Sequence, residues 1–237
     1  VAEESNTTML QQGRNPIPTL SSEKFFTALS ADVVARVETF AYQRHYTPRQ
    51  IVFFPDDPCD SVFLVVSGRV KLTQVSDQGR EICFRHLVRG DLFGEECLVN
   101  RQRRGYYAEA LSPTLLTLIR GADFIRLVRE EPELGHAVAC ALCRRSVDAE
   151  RALSAFVFSD VRERVLQRLW ELYCREKEFK DESLSVTHQD IANLVGAARE
   201  TVTCVLHELQ DEGIITLANR RIKIKQPKVL FQLAGTE

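Results

Sequence analysis

Arg199, Glu200, Thr201 and Thr203 follow closely on Gly196, and Thr187, His188 and Gln189 stand shortly before it. These side chains have the donors and acceptors that read duplex DNA. An arginine can donate two hydrogen bonds to O6 and N7 of guanine, and a glutamate can accept from the cytosine amino group. Each good contact of this kind is worth about 1–3 kcal/mol of discrimination. Gln189 can bond a phosphate and set the register. Arg220, Arg221, Lys223, Lys225 and Lys228 lie close together, interleaved with Ile222 and Ile224. Alternation in a short hairpin sends the basic side chains to one face, which suits the polyphosphate backbone. The plainer alternatives are a helical pair that only packs and an edge strand protected by lysines.

These residues can work together only on a particular scaffold. Thr187 can cap a helix carrying Ile191, Ala192 and Val195. Gly196 then supplies the tight turn. A second helix begins near Ala198 and buries Val202, Val205, Leu206 and Leu209, at spacings of three and four. Arg199, Glu200 and Thr203 are thereby expected on its open side, the arrangement of a recognition helix entering the major groove. Two short β-like runs follow, near 214–217 and 222–224. Upstream, Ser159 or Asp160 can cap a helix over 161–173, and the charged stretch 175–185 is expected to be a loop.

The middle of the chain supplies a rod. Pro132 opens a helical stretch with no Gly or Pro between His136 and Arg175. Its apolar seam is Val138, Leu142, Ala149, Leu153 and Phe156. Such a seam can pair with a second copy of the chain or pack on its own β domain. Before it, short β-branched and aromatic runs at 51–54, 61–66, 70–75, 82–87, 106–110 and 115–119 are separated by Pro, Gly and Asp turns. That spacing predicts an all-β sandwich or barrel. Ser21 or Ser22 can open one or two helices carrying Phe25, Phe26, Leu29, Val33, Val34, Val37 and Phe40.

A chain of 237 residues is long enough for two domains, and its net charge of −2 leaves any nucleic-acid surface to a local positive stripe. Hydrophobic residues make up 44% and charged residues 27%, the balance of a globular protein. No apolar run approaches the ~20 residues that cross a bilayer. Val1 to Arg14 is polar and reads as a floppy leader, not a secretory signal. Cys59, Cys83, Cys97, Cys140, Cys143, Cys174 and Cys204 are odd in number and mostly widely spaced. This pattern suits reduced thiols in the cytosol better than a disulfide framework, so a cytoplasmic protein with no membrane partner is expected.

From about Phe25 to Pro227 the chain resembles the cyclic AMP receptor protein and fumarate-nitrate regulator (CRP/FNR) superfamily of bacterial transcription factors. Gly68-Arg69-Val70-Lys71-Leu72 and Gly90-Asp91-Leu92-Phe93-Gly94-Glu95 carry the resemblance in the β region. Phe158-Ser159-Asp160-Val161 carries it at the end of the rod. Gln189-Asp190-Ile191-Ala192 and Arg199-Glu200-Thr201-Val202 carry it in the DNA-reading segment. The resemblance implies an α+β fold with a β-roll sensor domain at residues 20–132, a dimerisation helix and hinge at 133–158, and a winged helix-turn-helix at 159–237. It also implies a homodimer on a palindromic promoter site, contact with RNA polymerase, and gating by an effector at the β-roll and dimer helix. Arg199 and Glu200 match the family's base-reading pair. Cys204 stands where the family usually has a second arginine, so the half-site is expected to differ.

The same resemblance places Gly94, Glu95 and Arg104 in a phosphate-binding cassette and Glu150 on the adenine-contacting part of the helix. Here the family's Arg-Ser step is Arg104-Gly105, and its polar helix pair is Ala149-Glu150. The cassette can therefore hold a cyclic nucleotide, or be a barrel turn whose Arg101, Arg103 and Arg104 are solvated. No cysteine precedes Cys59, which argues against the family's iron–sulfur cluster. Cys83, His86 and Cys97 could hold haem, but their spacing is not diagnostic. Cys140 and Cys143 could bind metal, form a disulfide, or be small apolar residues. An enzyme with a cysteine nucleophile served by His86, His136 or His207 has no supporting motif. A cyclic-nucleotide-binding or redox-sensing module acting through a protein partner leaves Arg199, Glu200 and the basic hairpin without a role.

Overall fold

A computed structural model of the chain describes residues 20, 25–79, 81–99, 102–177, 183–184, 186–218 and 221–235. The polar leader, Ser21, Ser22, Arg101 and Arg220 lie outside them. The chain divides into two compact units, residues 1–72 with 86–142 and residues 73–85 with 143–237.

The first unit opens with α1 (Ala31–Glu38), whose Val33, Val34 and Val37 share one buried side. Eight strands follow: β1 (Ala41–Tyr46), β2 (Ile51–Phe53), β3 (Ser61–Ser67), β4 (Val70–Val75), β5 (Glu81–Leu87), β6 (Leu92–Phe93), β7 (Tyr107–Ala110) and β8 (Thr114–Arg120). The tip of the β4–β5 hairpin, 73–85, is grouped with the second unit. Two four-stranded sheets form, in the orders β1-β8-β3-β6 and β2-β7-β4-β5. Residues of period two point inward from both sheets. Phe53, Phe63, Val65, Val70, Leu72, Phe93, Leu116 and Leu118 make one core between them. Val62, Leu64 and Ile119, from the opposite face of β3 and β8, pack with α1, with Phe124 and Leu127 of α2 (Gly121–Glu130), and with Leu134 and Val138 of α3 (Pro132–Phe158). This is the expected sandwich of short strands.

The second unit takes over α3 from Cys143 and continues with α4 (Val161–Lys177). The chain breaks between them because Asp160 caps α4: its Oδ1 accepts from Glu163 N at 2.8 Å, and Glu163 Oε2 accepts from Asp160 N at 3.2 Å. The helix runs on to Lys177, beyond the expected end at Tyr173 and into the stretch expected to be loop. Next come β9 (Ser183–Leu184), α5 (His188–Val195), α6 (Arg199–Asp211), β10 (Ile215–Ala218), β11 (Arg221–Ile224) and α7 (Pro227–Ala234). The small sheet has the order β10-β11-β9. Val165, Leu166 and Leu169 of α4, Ile191 of α5, Leu206 of α6, Ile222 of β11 and Leu230 of α7 belong to a single core. No helix among the described residues is long and apolar enough to cross a membrane.

Candidate nucleic-acid interface

The geometry of α5 and α6 follows from their sequence. Thr187 Oγ1 accepts from Asp190 N at 3.1 Å, and Asp190 Oδ2 accepts from Thr187 N at 2.8 Å, a reciprocal cap at the start of α5. Gly196 ends α5 with φ +65°, in the left-handed region that disfavours side chains. A Cβ there would lie 3.1 Å from a ring carbon of Phe156. The chain leaves Gly196 and enters α6 at Arg199. Val202, Val205, Leu206 and Leu209 are all buried, as their spacing predicts.

That burial leaves Arg199, Glu200 and Thr201 exposed in the first turn of α6. Thr203 is only half exposed, because its Oγ1 lies 3.1 Å from Nδ1 of His188 on α5. His188 is held below the usual imidazole range, first by burial and then by the charges of His207 and Arg199. Gln189 is exposed and donates to Asn193 Oδ1 at 2.7 Å, while Thr187 is also exposed. Cys204, which stands where the family usually has an arginine, and His207 share the outward side of α6 with Glu200, in steps of four and three.

The hairpin β10–β11 alternates as expected. Arg221 and Lys223 are exposed, Ile222 and Ile224 are buried, and Lys225 follows, exposed. Lys228 sits exposed on α7, beyond the hairpin expected to carry it. Arg162 of α4 fixes α6 from behind: it donates to Glu208 at 2.9 Å and to Glu212 at 2.7 Å. Arg164 of α4 donates to Val195 O at 3.0 Å and Ser159 O at 2.6 Å, with its guanidinium over the Phe156 ring at 5.3 Å.

The seam residues of α3 have divided fates. Val138 is buried in the core of the first unit, so for it the plainer packing role holds. Leu142, Leu153 and Phe156 are 39%, 65% and 58% exposed, and Ala149 is exposed too. The Phe156 ring also lies under the guanidinium of Arg164 and beside the turn at Gly196, where a Cβ would meet it.

In the first unit the structure brings Gly94 and Arg104 together: Arg104 Nη1 donates to Gly94 O at 2.9 Å. Arg104 is 2% exposed, so the solvated-turn reading is wrong for this residue. Arg103 does stay exposed, donating to Asp56 O. Glu95 is buried in a short 3₁₀ helix, Glu95–Val99. Glu150 is exposed on α3, in the second unit, with Ser146 Oγ at 3.5 Å.

Burial pushes the Cys97 thiol up, away from the thiolate a haem or metal would use. Cys140 Sγ lies 3.5 Å from His136 Nε2, and Cys143 is exposed. No group of three metal-ligating side chains occurs among the described residues. In the second unit, burial and the neighbouring Arg85 push the Arg145 guanidinium down to about 10. Arg85 lies on a strand and Arg145 on α3, 60 positions apart in the numbering, and no local pattern could have paired them.

Comparison with known proteins agrees with this geometry. Residues 43–131 match the model of the cyclic nucleotide-binding domain, and residues 163–233 match that of the Crp-like helix-turn-helix domain. The chain is 28% identical over 215 residues to the cyclic AMP receptor protein of Thermus thermophilus, covering 91% of this chain and 98% of that one. It is 31% identical over 188 residues to the global nitrogen regulator of Synechococcus elongatus, covering 76% and 84%. Among solved structures, the c-di-GMP responsive global regulator CLP of Xanthomonas campestris superposes with a TM-score of 0.72 at 26% identity, covering 82% of this chain and 99% of that one. These relatives are regulators and not enzymes.

Proposed function

The chain belongs to the CRP/FNR superfamily of DNA-binding transcription regulators, and from that premise we propose that it grips a palindromic promoter site as a homodimer, one α6 in each half-site. The carrying observation is the division of α6 itself. One side is sealed into the core by Val202, Val205, Leu206 and Leu209, which leaves Arg199, Glu200 and Thr201 in its first turn open to a groove. In this reading Arg199 and Glu200 contact base edges, while Thr187, His188, Gln189 and Thr203 bond the backbone or fix the register. Arg221, Lys223 and their neighbour Arg220 hold flanking phosphates.

The exposed part of the α3 seam, Leu142, Ala149, Leu153 and Phe156, is the surface two copies share. A helix of 27 residues with this much apolar exposure gains stability by covering it. In the proposed assembly the functional division is a sensor over 20–132, a coupling helix over 133–158 and a DNA-binding domain over 159–237. An effector acting on the sensor and α3 changes the spacing of the two reading helices. Bound at a promoter in the cytoplasm, the dimer meets RNA polymerase.

Selection of duplexes from a random pool with the full chain tests this. The expected product is an inverted repeat whose half-sites are centred about 34 Å apart, one turn of DNA. Enrichment of a single, unrepeated half-site, or none at all, would overturn the reading.

A further inference from the structure

A cyclic nucleotide is what the domain matched over residues 43–131 leads one to expect in the first unit. Holding its phosphate asks for an arginine whose donors face the ligand, next to a small hydroxyl. Neither is present. Gly105 supplies no hydroxyl, and the two Nη groups of Arg104 are engaged within the chain.

Arg104 is sealed in, with its guanidinium 4.5 Å above the centre of the Phe53 ring and 5.7 Å from that of Phe63. A cation so buried needs a counter-charge. Glu96 provides it: Nη1 donates to Glu96 Oε2 at 2.9 Å as well as to Gly94 O, while Nη2 donates to Ser61 O. The second carboxylate oxygen of Glu96 accepts from the hydroxyl of Tyr106. The carboxylate is thus held from two sides. The space beside Gly94 is filled as well, since a Cβ there would stand 2.9 Å from Phe63 and 3.0 Å from Arg104 Nη1. Among the described residues Arg104 Nε has no partner, so Glu96 engages the guanidinium through one nitrogen only.

We infer that Glu96 is an internal substitute for a ligand phosphate: it occupies Arg104 and closes the cassette of this chain to phosphate-bearing ligands. A phosphate could use Nε and an Nη together, a bidentate grip that Glu96 does not make. It could do so only by displacing the carboxylate, because two anions on one guanidinium in a low-dielectric site repel each other. The residue next to Gly94-Glu95 thereby decides whether the cassette admits an anion, and the native effector acts elsewhere or by another chemistry.

Calorimetric titration of the full chain with cyclic AMP, and separately with inorganic phosphate, tests this without DNA. The native chain is expected to bind neither at millimolar concentration. Glu96→Gln keeps the shape and removes the charge, and is expected to bind at least one of the two anions at least about tenfold more tightly, about 1.4 kcal/mol. Gain for inorganic phosphate alone shows an opened anion position in a pocket that refuses a nucleoside; gain for cyclic AMP shows a pocket complete apart from Glu96. Tyr106→Phe loosens the carboxylate while keeping the ring, and carries the test with a smaller gain should Glu96→Gln not fold. Native binding of cyclic AMP as tight as the variant's, or no gain for either anion in a folded variant, overturns the inference.

Discussion

The imidazole of His188 and the hydroxyl of Thr203 join the two helices of the DNA-reading motif, with Nδ1 and Oγ1 3.1 Å apart. Burial first, then the charges of His207 and Arg199, lower the affinity of His188 for a proton from the ordinary value of 6.5. The unfolded chain therefore takes up this proton first as the solution is acidified. His188 favours the folded state fully above pH 6.5, and that contribution is lost as pH falls through its lower folded value. Titration of the ring followed by NMR is expected to give a midpoint below 6.5 in the native chain, moved upward in His207→Ala. A native midpoint at or above 6.5 contradicts the arrangement.

Arg199 and Arg221 are expected to fail differently. Arg199→Ala loses about 1–3 kcal/mol of discrimination at one base pair of the half-site, so binding to the preferred and the altered site converges. Arg221→Ala weakens all duplexes alike and lowers the slope of log affinity against log salt by about one. Competition titrations at several salt concentrations separate the two, and an unchanged base preference in Arg199→Ala removes it from the reading surface.

Leu153 is 65% exposed on a helix whose earlier seam residue Val138 is already buried. Leu153→Glu puts a charge in the proposed shared face without touching a described core. Sedimentation is expected to show the native chain at twice its 27.0 kDa and the variant at that mass alone. A variant that stays dimeric places the shared face elsewhere.

Gly196 and Gly235 both end helices with positive φ, +65° and +60°. A left-handed alanine costs about 1–2 kcal/mol at either. Only at Gly196 does the new Cβ also meet Phe156, at 3.1 Å; among the described residues nothing stands within 4 Å of it at Gly235. Thermal melting is expected to fall further for Gly196→Ala than for Gly235→Ala, and equal losses would show that the Phe156 contact yields freely.

The parts of this molecule that were legible in the sequence are those encoded by short repeats. Period two predicted the exposed Arg221 and Lys223 between buried Ile222 and Ile224, and steps of three and four predicted the buried side of α6. Thr187 and Asp160 announced helix starts because a cap is chemistry between residues three apart. What stayed hidden depends on distant partners. The helix at Pro227–Ala234 is only eight residues long and opens on a proline, too short for a helical period to stand out, and its Phe231 finds its partner in the distant Trp170 of α4, at 5.1 Å. In the same way β1 is not legible, because Tyr42 and Arg44 are exposed in it and its partner strand β8 lies far along the chain. The pairing of Glu96 with Arg104 spans the unremarkable stretch between them and is fixed by where β3 and β7 bring the chain.

Arg162 grips Glu208 in the last turn of α6 and Glu212 at its C-terminal cap, while α4, α5, α6 and the small sheet share one core. The reading helix consequently has no private hinge: it cannot tilt unless α4 tilts with it. In the proposed assembly, a signal arriving along the chain at Asp160 would move α4, α5, α6 and the small sheet together, like a key on its shank. In the proposed complex, the angle at which Arg199 would meet DNA is then set by the first turn of α4, well before the motif itself begins.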